Sequence, residues 1–522
     1  MKNAQQDMNH SVRTIARLTN GWWRRIGLLL MILAAATASP AQDEQASPNV
    51  VKFKTLVNFE ETNGEAPFSG LVQGTGGNLY GTAILGGTYN SGSVFKMTPS
   101  GALTVLYNFC AMSSCPDGAN PSGLTLGTDG NFYSTSVGGG MNGQGTIFKM
   151  TPNGALTTLY NFCSQPNCAD VILNDSGVVE GADGNFYGTT PYYGANNNSA
   201  CVVFAGYPGC GTVFKITPAG AFTTIYSFCS LTSCADGGVP YSGLTAGSDG
   251  NLYGSTSAGG AFGYGTIFKI TRAGELTTLH SFGGTDGNCG YLACAPLIQA
   301  ANGSFYGTTI HGGTNPGAFS GTAFEITSAG EFRTLYNFCS QANCADGQYP
   351  WEIVQGADGN FYGVTGYGGA DSCTFGCGTV FKLTPDGVLT TLHSFNGTDG
   401  YFPLGFMHST NGIFYGTTVG GGGTDLICPP WGCGTVFALS VGLGPFVQTL
   451  PTGGKAGEGI RILGTDLTGA TSVCFDGRPA EFKVVSPTEI VAKVPAGATS
   501  GFVTVTTPTG TLKSNVPFYV WP

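Results

Sequence analysis

Asp183-Gly184-Asn185-Phe186-Tyr187-Gly188-Thr189-Thr190 is one of seven versions of a single phrase in this 522-residue chain. Its tyrosine returns at Tyr80, Tyr133, Tyr187, Tyr253, Tyr306, Tyr362 and Tyr415, at intervals of 53, 54, 66, 53, 56 and 53 residues. A near-fixed period of this size marks a repeat architecture rather than one irregular globule.

Working outward from the phrase, each repeat reads as four strands. In the second, residues 122–126 form strand a and 131–135 strand b, joined by the turn Thr128-Asp129-Gly130. A Gly-rich stretch, 138–145, leads to strand c at 146–150, and Pro152-Asn153-Gly154 turns the chain into strand d at 156–162. Asp-Gly and Asn-Gly supply the positive φ that tight hairpin turns need. Four antiparallel strands repeated seven times predict a seven-bladed β-propeller in an all-β chain. The seventh repeat stops after 434–439 without a strand d. The segment Lys54-Thr55-Leu56-Val57-Asn58-Phe59 reads as an orphan strand d, like Thr158-Leu159-Tyr160-Asn161-Phe162. The N-terminal strand is therefore expected to complete the last blade, closing the ring and removing an open sheet edge.

Composition agrees. The chain has 86 Gly, 12% aromatic residues and only 10% charged residues, which suits many short strands joined by tight turns. Arg24 and Arg25 precede an apolar run from Ile26 to Ala36, and Ala36-Thr37-Ala38 gives a small-residue cleavage pattern. Residues 1–38 read as a signal peptide, too short in its apolar part to span a bilayer comfortably. Without them the chain carries 15 basic and 29 acidic residues, a balance that disfavours nucleic acid and anionic membranes as partners. The expected organisation is a signal peptide at 1–38, a linker at 39–50, the propeller at 51–442 and a second domain at 443–522.

Seventeen cysteines point to an oxidising compartment. Five pairs share the spacing i, i+5: Cys110/Cys115, Cys163/Cys168, Cys229/Cys234, Cys289/Cys294 and Cys339/Cys344. Cys201/Cys210, Cys373/Cys377 and Cys428/Cys433 make three more, and Cys474 is left over. Metal sites favour Cys-x-x-Cys or neighbouring His, and none of the five His adjoins these pairs. Local disulfides, each pinning its own loop, are expected. Cys474 is expected to be a buried free thiol.

The phrase Gly-Leu-x-x-Gly-x-Asp-Gly-Asn-Phe-Tyr-Gly-Thr-Thr, followed by runs such as Gly211-Thr212-Val213-Phe214-Lys215-Ile216-Thr217-Pro218, resembles the bacterial GloVer tandem repeat over about residues 51–440. That resemblance implies an exported bacterial protein of the choice-of-anchor type, with no settled biochemical activity. After residue 443 the pattern changes to Gly459-Ile460-Arg461-Ile462-Leu463-Gly464, then 470–477, 490–495 and 501–508. These short alternating strands predict a small β-sandwich. They resemble the IPT/TIG family of immunoglobulin-like domains, which implies a binding or spacer module.

In each blade the d-to-a and b-to-c connections leave one end of the sheet and the a-to-b and c-to-d turns leave the other. The first set is long, varied and holds all sixteen paired cysteines; the second is uniformly tight. Varied loops on a rigid scaffold point to recognition. Candidate ligand-binding residues there are Tyr192, Tyr193, Tyr349, Trp351, Tyr401 and Trp431, with Phe402 and the asparagines Asn196, Asn197 and Asn198 beside them. Their rings either meet sugar rings or cap the blade ends. Asp117, Asp236, Asp346 and Asp399, each before a Gly, either hold Ca²⁺ or a cationic ligand or serve as turn residues. Asp286 is a looser copy, and Asn63 does the same turn job without charge. Glu180, His311, Glu352 and His408 are charged or titratable breaks in the repeat.

No catalytic residue and no resident cofactor or metal is identified in the sequence. The leading expectation is a secreted, periplasmic or cell-surface binding or scaffold protein whose loops meet a polysaccharide or an extracellular protein. The alternative is a glycoside hydrolase or polysaccharide lyase, which needs two carboxyls placed for acid–base work.

Overall fold

The computed structural model describes residues 51–170, 177–196, 201, 209–290, 294–315, 320–369, 373, 375–422 and 432–522. The expected leader and linker, Asn197, Asn198, Cys428 and Trp431 lie outside the described residues.

The four-strand phrase becomes an antiparallel sheet. In the second repeat Thr125–Leu126, Phe132–Gly138, Thr146–Met150 and Leu156–Asn161 are strands a to d, with Ala119–Pro121 as an added partner of strand b. Among the described residues the repeat region forms seven such sheets. The seventh contains Tyr401–His408, Phe414–Gly420, Thr435–Ser440 and, as its outer strand, β1 (Lys52–Asn58). β1 pairs Thr55 with Phe437 and then, across a bulge, Val57 with Val436. The second repeat pairs Thr158 with Phe148 and then Tyr160 with Ile147. The skipped residue is Leu56 in one and Leu159 in the other, so β1 reproduces the register of an ordinary strand d. The protein is all-β, and helix is confined to short 3-10 turns such as Thr232–Cys234 among the described residues.

The repeated phrase is explained by what its residues touch. Asp129 accepts hydrogen bonds from Asn131 N, from Tyr133 Oη at 2.9 Å and from Lys149 Nζ at 2.7 Å. Burial works against that carboxylate, but these donors outweigh it and lower its pKa to about 2. Asp183 repeats the arrangement with Asn185, Tyr187 and Lys215. Five of the seven tyrosine rings then pack on the phenylalanine of the next repeat, among them Tyr133 on Phe186 at 3.8 Å, Tyr253 on Phe305 at 3.8 Å and Tyr306 on Phe361 at 4.1 Å; Leu252 and Leu79 take that place for Tyr187 and Tyr415. The Phe-Tyr couplet is thus the contact between sheets, in the offset geometry that aromatic pairs favour. The glycine after it is closely packed in six of the seven repeats, with Ser134 standing there in the second. A Cβ at Gly188 would lie 2.5 Å from the Phe214 ring.

The first and last repeats meet through the contacts that join consecutive repeats. Thr417 Oγ1 donates to Ser69 O at 3.1 Å, as Thr82 Oγ1 does to Ser122 O at 3.0 Å. Gly434 packs on Pro67 as Gly92 packs on Pro121. Gln73 of the first repeat clasps Thr410 of the seventh through Thr410 N and Oγ1, as Gln299 takes the Ser248 N–H.

Residues from 446 onward form a sandwich. One sheet orders Gln448–Leu450, Gly459–Leu463, Glu489–Lys493 and Phe482–Ser486; the other orders Arg478–Pro479, Ser472–Phe475, Val503–Thr507 and Gly510–Lys513. Val447, Ile460, Ile462, Val473, Phe475, Ile490, Val503 and Val505 fill the space between them. Cys474 is free but only half-buried, not the core thiol expected. Strand alternation turns Val473 and Phe475 inward and leaves Cys474 on the outer face.

Candidate functional site

The two ends of the sheets differ in what covers them. At the turn end, the C-terminal domain docks on one backbone carbonyl that recurs from repeat to repeat, in the a-to-b turn. Thr488 Oγ1 donates to Thr75 O at 2.8 Å, Arg461 Nε to Thr128 O at 2.8 Å, and Trp521 Nε1 to Ser248 O at 3.1 Å. Phe446 N donates to Thr410 O at 2.9 Å. These four carbonyls belong to repeats one, two, four and seven. Leu463 adds apolar contact with Tyr80 and Leu126. His408 is stacked against Phe414 at 4.2 Å and Phe446 at 4.5 Å, so it sits in this joint.

At the loop end the aspartates turn inward. Asp236 and Asp346 are fully buried. Asp346 accepts from Tyr336 Oη at 2.8 Å, from Ser340 N at 2.9 Å and from Gln341 N at 3.1 Å. Asp236 does the same with Tyr226, Ser230 and Leu231. Asp117 accepts from Tyr107 and Cys110 N, and Asp399 from His393 Nε2 and Asn396 N. Asp286 takes His280 and Gly283 N. Each carboxylate ties the end of strand d to the loop that follows. Asp170 fills this place in the third repeat with Tyr160, Ser164 and Gln165; no glycine follows it, which hid it in the sequence. Disulfides close five of the same loops, Cys110–Cys115, Cys163–Cys168, Cys229–Cys234, Cys289–Cys294 and Cys339–Cys344, while Cys201–Cys210 and Cys373–Cys377 lie in b-to-c connections at the same end. Cys433 is also disulfide-bonded. These bonds fit an oxidising, extracellular setting. The sulfurs of Cys201, Cys210, Cys229 and Cys234 lie within 4.8 Å of one another. They are joined as two disulfides and so present no thiolates for a metal.

The aromatic rings singled out in the sequence are largely packed. Tyr192 and Tyr349 are buried. Tyr349 stacks on Trp351 at 5.8 Å and leans on Phe402 at 5.5 Å. Trp351 and Tyr401 are half-buried against the core between the sixth and seventh sheets, and Tyr193 against that of the third and fourth. Asn196 donates to Ser227 O and Phe228 O, anchoring its loop. The exposed rings at this end are others: Tyr89, Phe262, Tyr264 and Phe375, joined by Met112, Met141 and Leu231. The signal for them was an apolar residue set among glycines, as in Gly260-Ala261-Phe262-Gly263-Tyr264-Gly265, where a connection that short has no core to enter.

Glu352 is the one break in the repeat that stands out chemically. Its place in strand a is held by Gly70, Gly123, Gly177, Gly243 and Gly405 in five other repeats. The carboxylate accepts from Phe406 N in the seventh sheet at 2.6 Å and lies against Gly70 of the first. Three inner strands thus meet around it. It retains some accessible surface although protein atoms enclose it. Burial raises its pKa to about 7, opposed only by the Phe406 N–H. Glu180 is also pushed up by burial, with its Thr128 contacts opposing; it clasps Thr128 N and Oγ1 at 2.7 Å and joins the second sheet to the third.

The fold and its loops define a secreted-type, disulfide-rich repeat protein with propeller-like sheets. The chain belongs to the Gloeobacter/Verrucomicrobia repeat family, whose pattern matches residues 45–202 and 201–437, and residues 446–520 match the IPT/TIG domain. No curated protein matches the sequence. Among solved structures it is similar to a catalytically inactive virginiamycin B lyase from Staphylococcus aureus, solved with quinupristin, at 16% identity and a TM-score of 0.48, covering 75% of this chain and 99% of that one. It is also similar to a putative glucose dehydrogenase from Thermus thermophilus, at 13% identity and a TM-score of 0.36, covering 75% of this chain and 100% of that one. A PQQ-bound aldose sugar dehydrogenase from Streptomyces coelicolor shares 13% identity at a TM-score of 0.35, covering 76% and 99%. Likeness at this level identifies neither an activity nor a ligand for this chain.

Proposed function

We propose that the seven sheets are the blades of one ring closed by β1, and that the protein is an exported, non-enzymatic binding or scaffold module which recognises its ligand through the loop end. The observation that carries this reading is the asymmetry of covering. The C-terminal domain occupies recurring carbonyls at the turn end, and the loop end keeps its exposed apolar side chains. Exposed apolar groups gathered on one side of a soluble protein mark interaction surfaces. In this reading Tyr192, Tyr193 and Tyr349 support the surface from below, and Trp351 and Tyr401 edge it. Asp117, Asp236, Asp346 and Asp399 hold the loops in shape, and Asp236, Asp346 and Asp399 need no Ca²⁺ because both oxygens of each already serve the chain's own donors, whereas Asp117 engages them through Oδ2 alone. The ligand is a polysaccharide or an extracellular protein.

A second reading rests on Glu352, whose raised pKa suits a general acid. A glycosidase pair would place another carboxyl roughly 5–10 Å away, whereas the influences on Glu352 are burial and a backbone N–H. The test is to incubate the chain with a polysaccharide panel, with and without Ca²⁺, and record thermal shift and released sugars together. A Ca²⁺-independent shift without products is expected. Products that vanish in Glu352→Gln would establish the enzyme reading instead.

A further inference from the structure

The nine Lys and Arg residues between positions 51 and 442 are Lys52, Lys54, Lys96, Lys149, Lys215, Lys269, Arg272, Arg333 and Lys382. Every one lies in a strand c, a strand d or a c-to-d turn. Four of the nine are paired there: Lys149, Lys215 and Lys382 with Asp129, Asp183 and Asp358 of the a-to-b turns, and Arg333 with Glu325. The fourteen connections of the loop end contain no Lys or Arg at all, and His311 is their only basic side chain. Their described aspartates are spent on loop closure, while Glu60 and Glu61 are exposed.

We infer that the ligand of the loop end is an uncharged polysaccharide, an inference that rests on the loop-end reading above. A polyanion, whether uronate, sulfate or phosphate, is held by Lys and Arg through charge-assisted hydrogen bonds and released counterions. This surface offers none and would repel it through Glu60 and Glu61. What it offers is apolar area beside neutral donors and acceptors. Phe262, 65% exposed, and Tyr264, 42% exposed, share one b-to-c loop. Their rings lie beside Gly283 and Gly284, where the neighbouring loop has no side chains to cover them. Tyr89, Met141 and Phe375 stand in the equivalent loops of repeats one, two and six. Anchors dispersed around a ring suit an extended polymer with many similar contacts. A protein partner is usually gripped by a few clustered central residues. Sugar rings present apolar faces to aromatic side chains, and their hydroxyls bond to Asn, Ser and backbone groups without any charge.

The test is affinity electrophoresis and pull-down with two probe sets. The neutral set is xylan, galactomannan, β-1,3-glucan and cellulose; the anionic set is alginate, polygalacturonate and heparin. Retention by a neutral polymer is expected, changing less than about twofold between roughly 0.05 and 0.5 M salt. The Phe262→Ala/Tyr264→Ala variant, altered only at exposed positions, should weaken it by about fivefold or more. Retention by anionic polymers alone, lost in that variant, would overturn the neutral class while leaving the loop-end reading intact. Neutral binding that neither this variant nor Tyr89→Ala disturbs would sink both. Retention by neither set would overturn the inference, and a protein partner lost in the same variants would then uphold the loop-end reading.

Discussion

Two titratable side chains, Glu352 and His408, give the protein opposing responses to pH. Burial holds the folded Glu352 at about 7, above its ordinary 4.5, so the folded chain binds more protons in that interval. Its contribution is therefore fully present below about 4.5 and is lost as pH rises through about 7. His408 is the reverse. Burial lowers it from 6.5 to about 4, only partly offset by the Gly412 and Gln355 backbone groups and by Asp358, so its contribution is lost as pH falls from about 6.5 towards 4. Between about 4.5 and 6.5 the two slopes oppose each other, and the whole protein should show a shallow profile there. Glu352→Gln keeps an acceptor for Phe406 N and removes one slope, so stability should rise with pH across that window. His408→Leu, with the side chain that Leu126 supplies in the second repeat, should make it fall. Denaturant titrations at several pH values should separate the variants by ~1–3 kcal/mol across the window; parallel profiles would refute the assignment. Glu352 was legible as a departure from a glycine position. Its chemistry was not, because the Phe406 N–H that it meets lies 54 residues away in sequence.

At the scale of elements, the decisive strand is β1. Its role was readable because Thr55-Leu56-Val57-Asn58-Phe59 repeats the spelling of strand d, and even its bulge follows the pattern. A chain that starts after Asn58 leaves the edge of Thr435–Ser440 open, which invites pairing between molecules. It should melt lower and aggregate, and a peptide of residues 52–58 added in trans should restore the monomer. A truncated chain as stable and monomeric as the whole would show that the ring does not depend on β1. The loops were less legible. Asp-Gly is compatible with a cation site in sequence, yet Asp346 and Asp236 spend their oxygens on a tyrosine and the following backbone. The substitution of Asn63 in the first repeat already hinted at that. Ring exposure was misjudged for a physical reason. A bulky residue beside a long loop, such as Tyr349, can fold back onto its own sheet, whereas Phe262 and Tyr264 are flanked by glycine and have nowhere to go.

For the whole molecule, the arrangement of the two domains was the least legible part, since four of its polar contacts end on backbone carbonyls that any residue would supply. Trp521 and Thr488 carry two of them. The variant Trp521→Phe/Thr488→Val keeps an aromatic and a β-branched side chain in place and loses both hydrogen bonds, each worth ~1 kcal/mol. It should speed hydrogen exchange in the turns around Thr75 and Ser248 without changing exchange in the loops. In the proposed arrangement the turn end is covered and the loop end is open for a ligand. Hydroxyl-radical footprinting of the whole chain, alone and with soluble xylan or galactomannan, tests it most directly. In the free protein Met112, Met141, Phe262, Tyr264 and Phe375 should oxidise readily, and Trp521 should be spared. With a polysaccharide that binds, the loop-end rings should become protected and the C-terminal domain should not change. Trp521 oxidised as fast as Phe262, or protection confined to the turns and the C-terminal domain, would contradict the account.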